Sequence, residues 1–235
     1  MPNRDRSLYA VLIDADNIPA DHAEAILKEV ARFGEPALRR VYGDWGAGRL
    51  KTWIEKIRTL GLVAHQETAN TRGKNASDIG LVIDAMDILH TGRFDGFVIV
   101  SSDSDFTRLA ARIREEGLEV IGIGERKAPE ALRNVCNRFV FIENIVSPAA
   151  VANAPDGGDK LKSLDALPLI LTAMDKIEQE DEWYSLGQVG QSITADMPDF
   201  DTRSYGERKL SDLVAKIKRL ELRKEGTLLK VRRLD

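Results

Sequence analysis

A chain of 235 residues, 43% hydrophobic and 31% charged, can bury a sizeable core in one large or two unequal domains, and its net charge of −4 confines any nucleic-acid surface to a local patch. A single cysteine, Cys136, excludes an internal disulfide, and the scattered His22, His65 and His90 exclude a zinc spacing, so oxygen is the metal-ligand chemistry on offer. No apolar run approaches the roughly 18 residues of a membrane span, and the opening Met1 to Arg6 has no apolar stretch of the kind that directs secretion, so a cytoplasmic protein without a membrane partner is expected.

Through the first two thirds, short apolar runs alternate with helical periodicity. Strands are expected at Tyr9 to Ile13, Ala37 to Tyr42, Leu62 to His65, Phe97 to Val100, Val120 to Ile123 and Phe139 to Ile142. Helices are expected at Pro19 to Phe33, Gly48 to Leu60, Ser77 to Leu89, Asp105 to Glu116 and Pro129 to Val135. Repeated strand–helix units predict an α/β fold, a Rossmann-like, doubly wound parallel sheet over residues 1–146. Residues 147–163 lose periodicity and collect Pro, Gly and small side chains, which predicts a linker. Beyond it, helices are expected at Leu164 to Ile177, Ser185 to Ile193 and Glu207 to Leu220. Strands Leu220 to Arg223 and Leu228 to Arg232 follow, around a turn at Glu225-Gly226. Three helices and a hairpin over 164–235 fit a small winged helix; a helical cap packed on the sheet fits the same pattern.

Two of the buried strands end in acid. Tyr9 to Ile13 runs into Asp14-Ala15-Asp16-Asn17, and Phe97 to Val100 runs into Ser101-Ser102-Asp103-Ser104-Asp105. In an open parallel sheet ligands bind at the carboxyl ends of strands where the winding reverses, so neighbouring first and fourth strands would bring Asp14 and Asp103 together. Such a pocket calls for a cation. Asp78 would join it from the first turn of the third helix, a place where the helix dipole alone also favours aspartate. Asp16 and Asp105 follow two residues after Asp14 and Asp103, and three or four of these carboxylates are expected to hold Mg²⁺ or Mn²⁺ and activate water for attack on a phosphate. Asp16, Asn17, Ser101 and Ser102, with Arg72 and Lys74 in a polar loop, are expected to contact substrate. On a helical wheel Ile79, Val82, Ile83, Met86 and Leu89 form the core stripe, which leaves Asp84 and Asp87 away from it as solvated or paired residues and Asp84 an outside candidate for a supporting role.

These segments resemble a known family. Leu12-Ile13-Asp14-Ala15-Asp16-Asn17, Gly73-Lys74-Asn75-Ala76-Ser77-Asp78, Val82-Ile83-Asp84-Ala85-Met86-Asp87, Ser101-Ser102-Asp103-Ser104-Asp105-Phe106 and Val120-Ile121-Gly122-Ile123-Gly124 closely resemble the NYN domain, the LabA-like branch of the PIN-like nuclease superfamily, over about Leu8 to Ile145. The resemblance implies a PIN-like fold and metal-dependent ribonuclease activity, with Asp14, Asp78, Asp103 and Asp105 at the acidic positions. In the tail, Trp183-Tyr184-Ser185-Leu186-Gly187, Pro198-Asp199-Phe200-Asp201, Tyr205-Gly206 and Lys209-Leu210-Ser211-Asp212-Leu213 resemble the LOTUS or OST-HTH domain. That likeness implies a winged helix that binds RNA or docks a protein partner.

Charge agrees with an RNA role for the tail: residues 203–233 hold eleven basic and four acidic side chains, a local +7. Arg203, Arg208, Lys209, Lys216 and Arg219 are the expected RNA contacts, four of them sharing one side of the last helix opposite Leu210, Val214 and Ile217. The expected function is a metal-dependent endoribonuclease acting on single-stranded RNA, against the alternative of a non-catalytic RNA-binding regulator that keeps the metal site. A haloacid-dehalogenase-like phosphatase is disfavoured because Asn17 and Ile18 do not continue that family's motif. A P-loop enzyme is disfavoured because no Gly-rich cradle follows the first strand.

Overall fold

The computed structural model describes residues 6–45, 50–66, 76–146 and 161–234, and the chain divides into two compact units, Met1–Val146 and Ser147–Asp235. Arg72, Lys74 and most of the expected linker lie outside the described residues.

In the first unit six parallel strands, β1 (Leu8–Asp14), β2 (Glu35–Gly43), β3 (Val63–Gln66), β4 (Gly96–Val100), β5 (Glu119–Gly124) and β6 (Arg138–Phe141), form one sheet in the order β3-β2-β1-β4-β5-β6. The winding reverses between β1 and β4, so the crevice of a doubly wound sheet opens there. Alternation along β1 separates two cores. Val11 and Ile13 pack with α1 (Ala23–Phe33) and α2 (Lys51–Leu60), while Ala10 and Leu12 pack with α3 (Ala76–His90), α4 (Thr107–Glu115) and α5 (Glu130–Val135). A short α6 (Glu143–Val146) follows β6 and adds Ile145 to the first of these cores. Because Asp14 continues the parity of Ala10 and Leu12, its carboxylate leaves the sheet on the face that α3 covers. Helix α2 ends at Gly61, whose φ of 63° places it in the left-handed region while its N–H caps Ile57 O.

The orientation of α3 corrects the wheel. Leu81, Ala85, Ile88 and Leu89 face the sheet, and Ile79 and Ile83 are 60% and 58% exposed. Asp84 is paired rather than solvated, and on the inner side of the helix: it binds the Arg40 guanidinium and the Tyr42 hydroxyl on β2, with His65 Nδ1 4.0 Å away. The helix is apolar on nearly every side, so pattern offers two stripes of equal merit. The polar anchor on β2 selects between them, because a half-buried carboxylate must find its partners.

The second unit has its own core, built by α7 (Leu167–Asp175), α8 (Leu186–Asp196), α9 (Leu210–Ala215) and an antiparallel sheet of β7 (Tyr184–Ser185), β8 (Leu220–Glu225) and β9 (Leu228–Arg233) in the order β7-β9-β8. This is the make-up of a winged helix rather than a helical cap. The wing turns at Gly226, φ 60°. Helix α9 is shorter than the expected Glu207 to Leu220. Arg208 and Lys209 precede it and Lys216 and Arg219 follow it, so no single helical face carries them all.

Candidate metal centre and nucleic-acid surface

Asp14 is 3% exposed at the end of β1. Its Oδ1 accepts from the backbone N–H groups of Asp16 (3.1 Å) and Asn17 (3.2 Å), which curls the chain into a tight turn as it leaves the sheet. Its Oδ2 accepts from Ser101 Oγ at 2.9 Å, across the winding reversal. The same serine oxygen accepts from Asp103 N at 3.1 Å, and Asn17 Oδ1 accepts from Ser102 N at 3.0 Å. Asp103 Oδ1 then accepts from Asp105 N at 2.9 Å and caps the 3-10 turn Ser104–Phe106. Ser101, Ser102 and Asn17 therefore lock the two strand ends together, and the backbone turn they hold displays Asp103 and Asp105. Ser102 Oγ also accepts from Glu125 N at 2.9 Å, which adds the end of β5.

Gly124 is part of this lock. A Cβ there would fall 2.6 Å from Ser101 O, 3.0 Å from Phe139 Cζ and 3.1 Å from Ser102 Oγ. Gly124→Ala is expected to destabilise the first unit by about 1–3 kcal/mol and to displace the Ser101-Ser102 turn. Urea denaturation measures the first effect; a variant as stable as the native chain would mean that the turn yields without cost.

Asp78, in the first turn of α3, completes the group. Burial raises its carboxyl above the ordinary range, and the charges of Asp103, Asp105 and Asp16 push it the same way. Burial lifts Asp14 to about 6; the Ser101 hydroxyl and the Asn17 N–H oppose the rise, and Asp78 and Asp16 reinforce it. The sequence-predicted Asp14, Asp16, Asp78, Asp103 and Asp105 thus share one electrostatic field.

That field suits a hard divalent cation: every donor is oxygen, and a positive charge would offset the burial and the repulsion that together hold Asp14 and Asp78 up. Among the described residues, no three carboxylate, imidazole or thiolate side chains stand together as a ready-made ligand set. The residues present fit a cation by donor chemistry and charge.

Sequence pattern did not disclose the anchor of Asp84 on Arg40 and Tyr42. The available signal was the i, i+2 spacing of those two on β2, which sends both to the α3 face.

In the second unit the predicted cations divide. Arg203 folds back onto Asp201, with its Nη2 2.6 Å from Oδ2, and Lys216 pairs with Glu207. Arg208, Lys209 and Arg219 are exposed. On the sheet, Trp183 is flanked by the guanidinium groups of Arg223 and Arg232, 4.3 and 4.8 Å from its ring centre.

Comparison with known proteins gives two family matches: the NYN domain over residues 9–143 and the OST-HTH/LOTUS domain over residues 161–228. No curated protein matches the chain. Among solved structures it is similar to a protein of unknown function, VPA0982, from Vibrio parahaemolyticus RIMD 2210633. The identity is 21% with a TM-score of 0.51, over 60% of this chain and 96% of that one, a likeness of fold alone.

Proposed function

The chain belongs to the NYN domain family and carries a C-terminal OST-HTH/LOTUS domain, and from that premise we propose that it is a metal-dependent endoribonuclease acting on single-stranded RNA. The observation that carries this reading is the shared field of Asp14, Asp78, Asp103 and Asp105 at the winding reversal of a parallel sheet. These four would hold Mg²⁺ or Mn²⁺. When bound, the ion supplies an activated water and a counter-charge for the phosphate under attack.

The chain's own contributions are positional. Ser101 favours the ionised form of Asp14 and aims it by donating to it, while the Asp16 and Asn17 N–H groups fix its other oxygen. Asn17 braces the β4 turn, and Asp16 would contact water or substrate at the edge of the centre. Lys74 and Arg72 would hold a flanking phosphate as point charges.

In the C-terminal module Arg208, Lys209 and Arg219 are the proposed phosphate contacts. Replacing all three with Ala should weaken RNA binding and flatten its salt dependence by about 2 in log–log slope, at about 0.7 per phosphate for a single strand. Unchanged salt dependence, measured by fluorescence anisotropy in the full chain, would reassign the module to protein docking.

The basic segment 203–233 suits equally a second reading, a non-catalytic RNA-binding regulator that keeps the metal site. Cleavage of a labelled single-stranded RNA in Mg²⁺, Mn²⁺ or EDTA decides between them. Products that need the metal support the nuclease; intact RNA beside firm binding supports the regulator.

A further inference from the structure

Strand register carries the acidic turn after β4 onto the end of β5. Val100 pairs with Ile123, Ser101 N donates to Ile123 O at 3.0 Å, and Ser102 Oγ accepts from Glu125 N. Asp103 and Arg126 each stand three residues beyond that pair, so they occupy neighbouring turns at the carboxyl end of the sheet. The strand order β1-β4-β5 puts Arg126 on the far side of Asp103 from Asp14. Its guanidinium stacks over Phe141, 5.3 Å from the ring centre. Phe141 belongs to the core beneath α3, α4 and α5, on the face where Asp14 leaves the sheet.

The guanidinium is held in place but not neutralised. Its Nη2 donates to Oδ1 of the buried Asn144 at 3.2 Å, and the Phe141 ring fixes its plane. Among the described residues no carboxylate pairs with it. Glu143 Oε1 accepts instead from the Arg126 backbone N–H at 2.9 Å, and Glu125 pairs with Lys127. Arg133 on α5 brings a second guanidinium to 5.9 Å from the same ring. Both arginines are half-buried, so their charges repel through a medium less screening than water, and a bound anion offsets that cost. A guanidinium held in one plane matches the paired oxygens of a phosphate. Since Asp103 belongs to the proposed centre, a phosphate reaching Arg126 would share a strand with the phosphate under attack. Resting on the proposed ribonuclease function, we propose that Arg126 binds the phosphate flanking the cleaved one, so that the RNA strand crosses the carboxyl ends of β4 and β5.

The Nε–H resonance of Arg126, assigned by its loss in Arg126→Gln, reads this site directly. In the full chain with Ca²⁺, whose flexible coordination suits binding better than in-line chemistry, the trinucleotide UpUpU should shift that resonance saturably. The same trimer with uncharged methylphosphonate linkages should bind there at least about tenfold more weakly, the worth of a charge-assisted hydrogen bond. With Mg²⁺ or Mn²⁺, Arg126→Gln should raise KM for a labelled single-stranded RNA at least about tenfold and leave kcat within about threefold. Arg126→Lys should recover part of the loss. A residue that only packs on Phe141 would lower stability without that split between KM and kcat. No shift at millimolar UpUpU, an equal response to the neutral trimer, or an unchanged KM in a chain that cleaves RNA would overturn the phosphate site. A charge-dependent shift in a chain that cleaves no RNA would uphold the site and overturn the nuclease reading instead.

Discussion

Asp103→Asn should lower metal-dependent cleavage of single-stranded RNA by about 100-fold or more while RNA binding stays within about threefold. The substitution removes one charge from the group proposed to hold the ion, and losing about 3 kcal/mol of charge stabilisation corresponds to that factor. The fold should persist, because the amide oxygen can still accept from Asp105 N and cap the turn Ser104–Phe106. Asp103→Ala should lose that cap as well, at a cost of about 1 kcal/mol. Single-turnover cleavage beside anisotropy binding separates the effects. An unchanged rate in Asp103→Asn would leave Asp103 a capping residue and nothing more.

Asp14 should make the metal-free chain less stable as pH rises. Its carboxyl titrates near 6 in the folded state against 3.8 ordinarily, so between those values the folded state binds the proton more tightly than the unfolded state. The penalty for ionising it is absent below about pH 4 and complete above about pH 6, with an upper bound of about 3 kcal/mol. In EDTA at pH 7.5, Asp14→Asn should therefore match or exceed the native chain in urea denaturation, and that advantage should vanish below pH 4. Saturating Mg²⁺ should reverse the order by stabilising the native chain alone, by about 2.7 kcal/mol at a hundred times Kd. A variant less stable than native at every pH would mean that the hydrogen bonds from Ser101, Asp16 and Asn17 outweigh the buried charge.

These two residues were legible in the sequence because the signal is local. A parallel strand buried on both faces reads as an unbroken apolar run, so the first polar residues after it mark its carboxyl end. Val98-Ile99-Val100 before Ser101 and Leu12-Ile13 before Asp14 gave that mark. Asp84 was not legible in the same way, since a helix as evenly apolar as α3 offers no unique inner face. Arg203 and Lys216 read as free cations in a basic segment, but Asp201 and Glu207 stand close enough in space to engage them. The third strand of the wing, β7, is two residues long, too short for periodicity to register.

Sequence by itself determined the alternation of strands and helices, the acidic residues at the ends of β1 and β4, and the helical, hairpin-ended tail, because each is written in neighbouring residues. Only the folded chain puts β1 beside β4, joins the two acidic turns through Ser101 and Asn17, and turns Asp84 inward onto Arg40 and Tyr42. The reason is physical: those contacts join residues far apart in the chain, and their energy exists only once the sheet has ordered its strands.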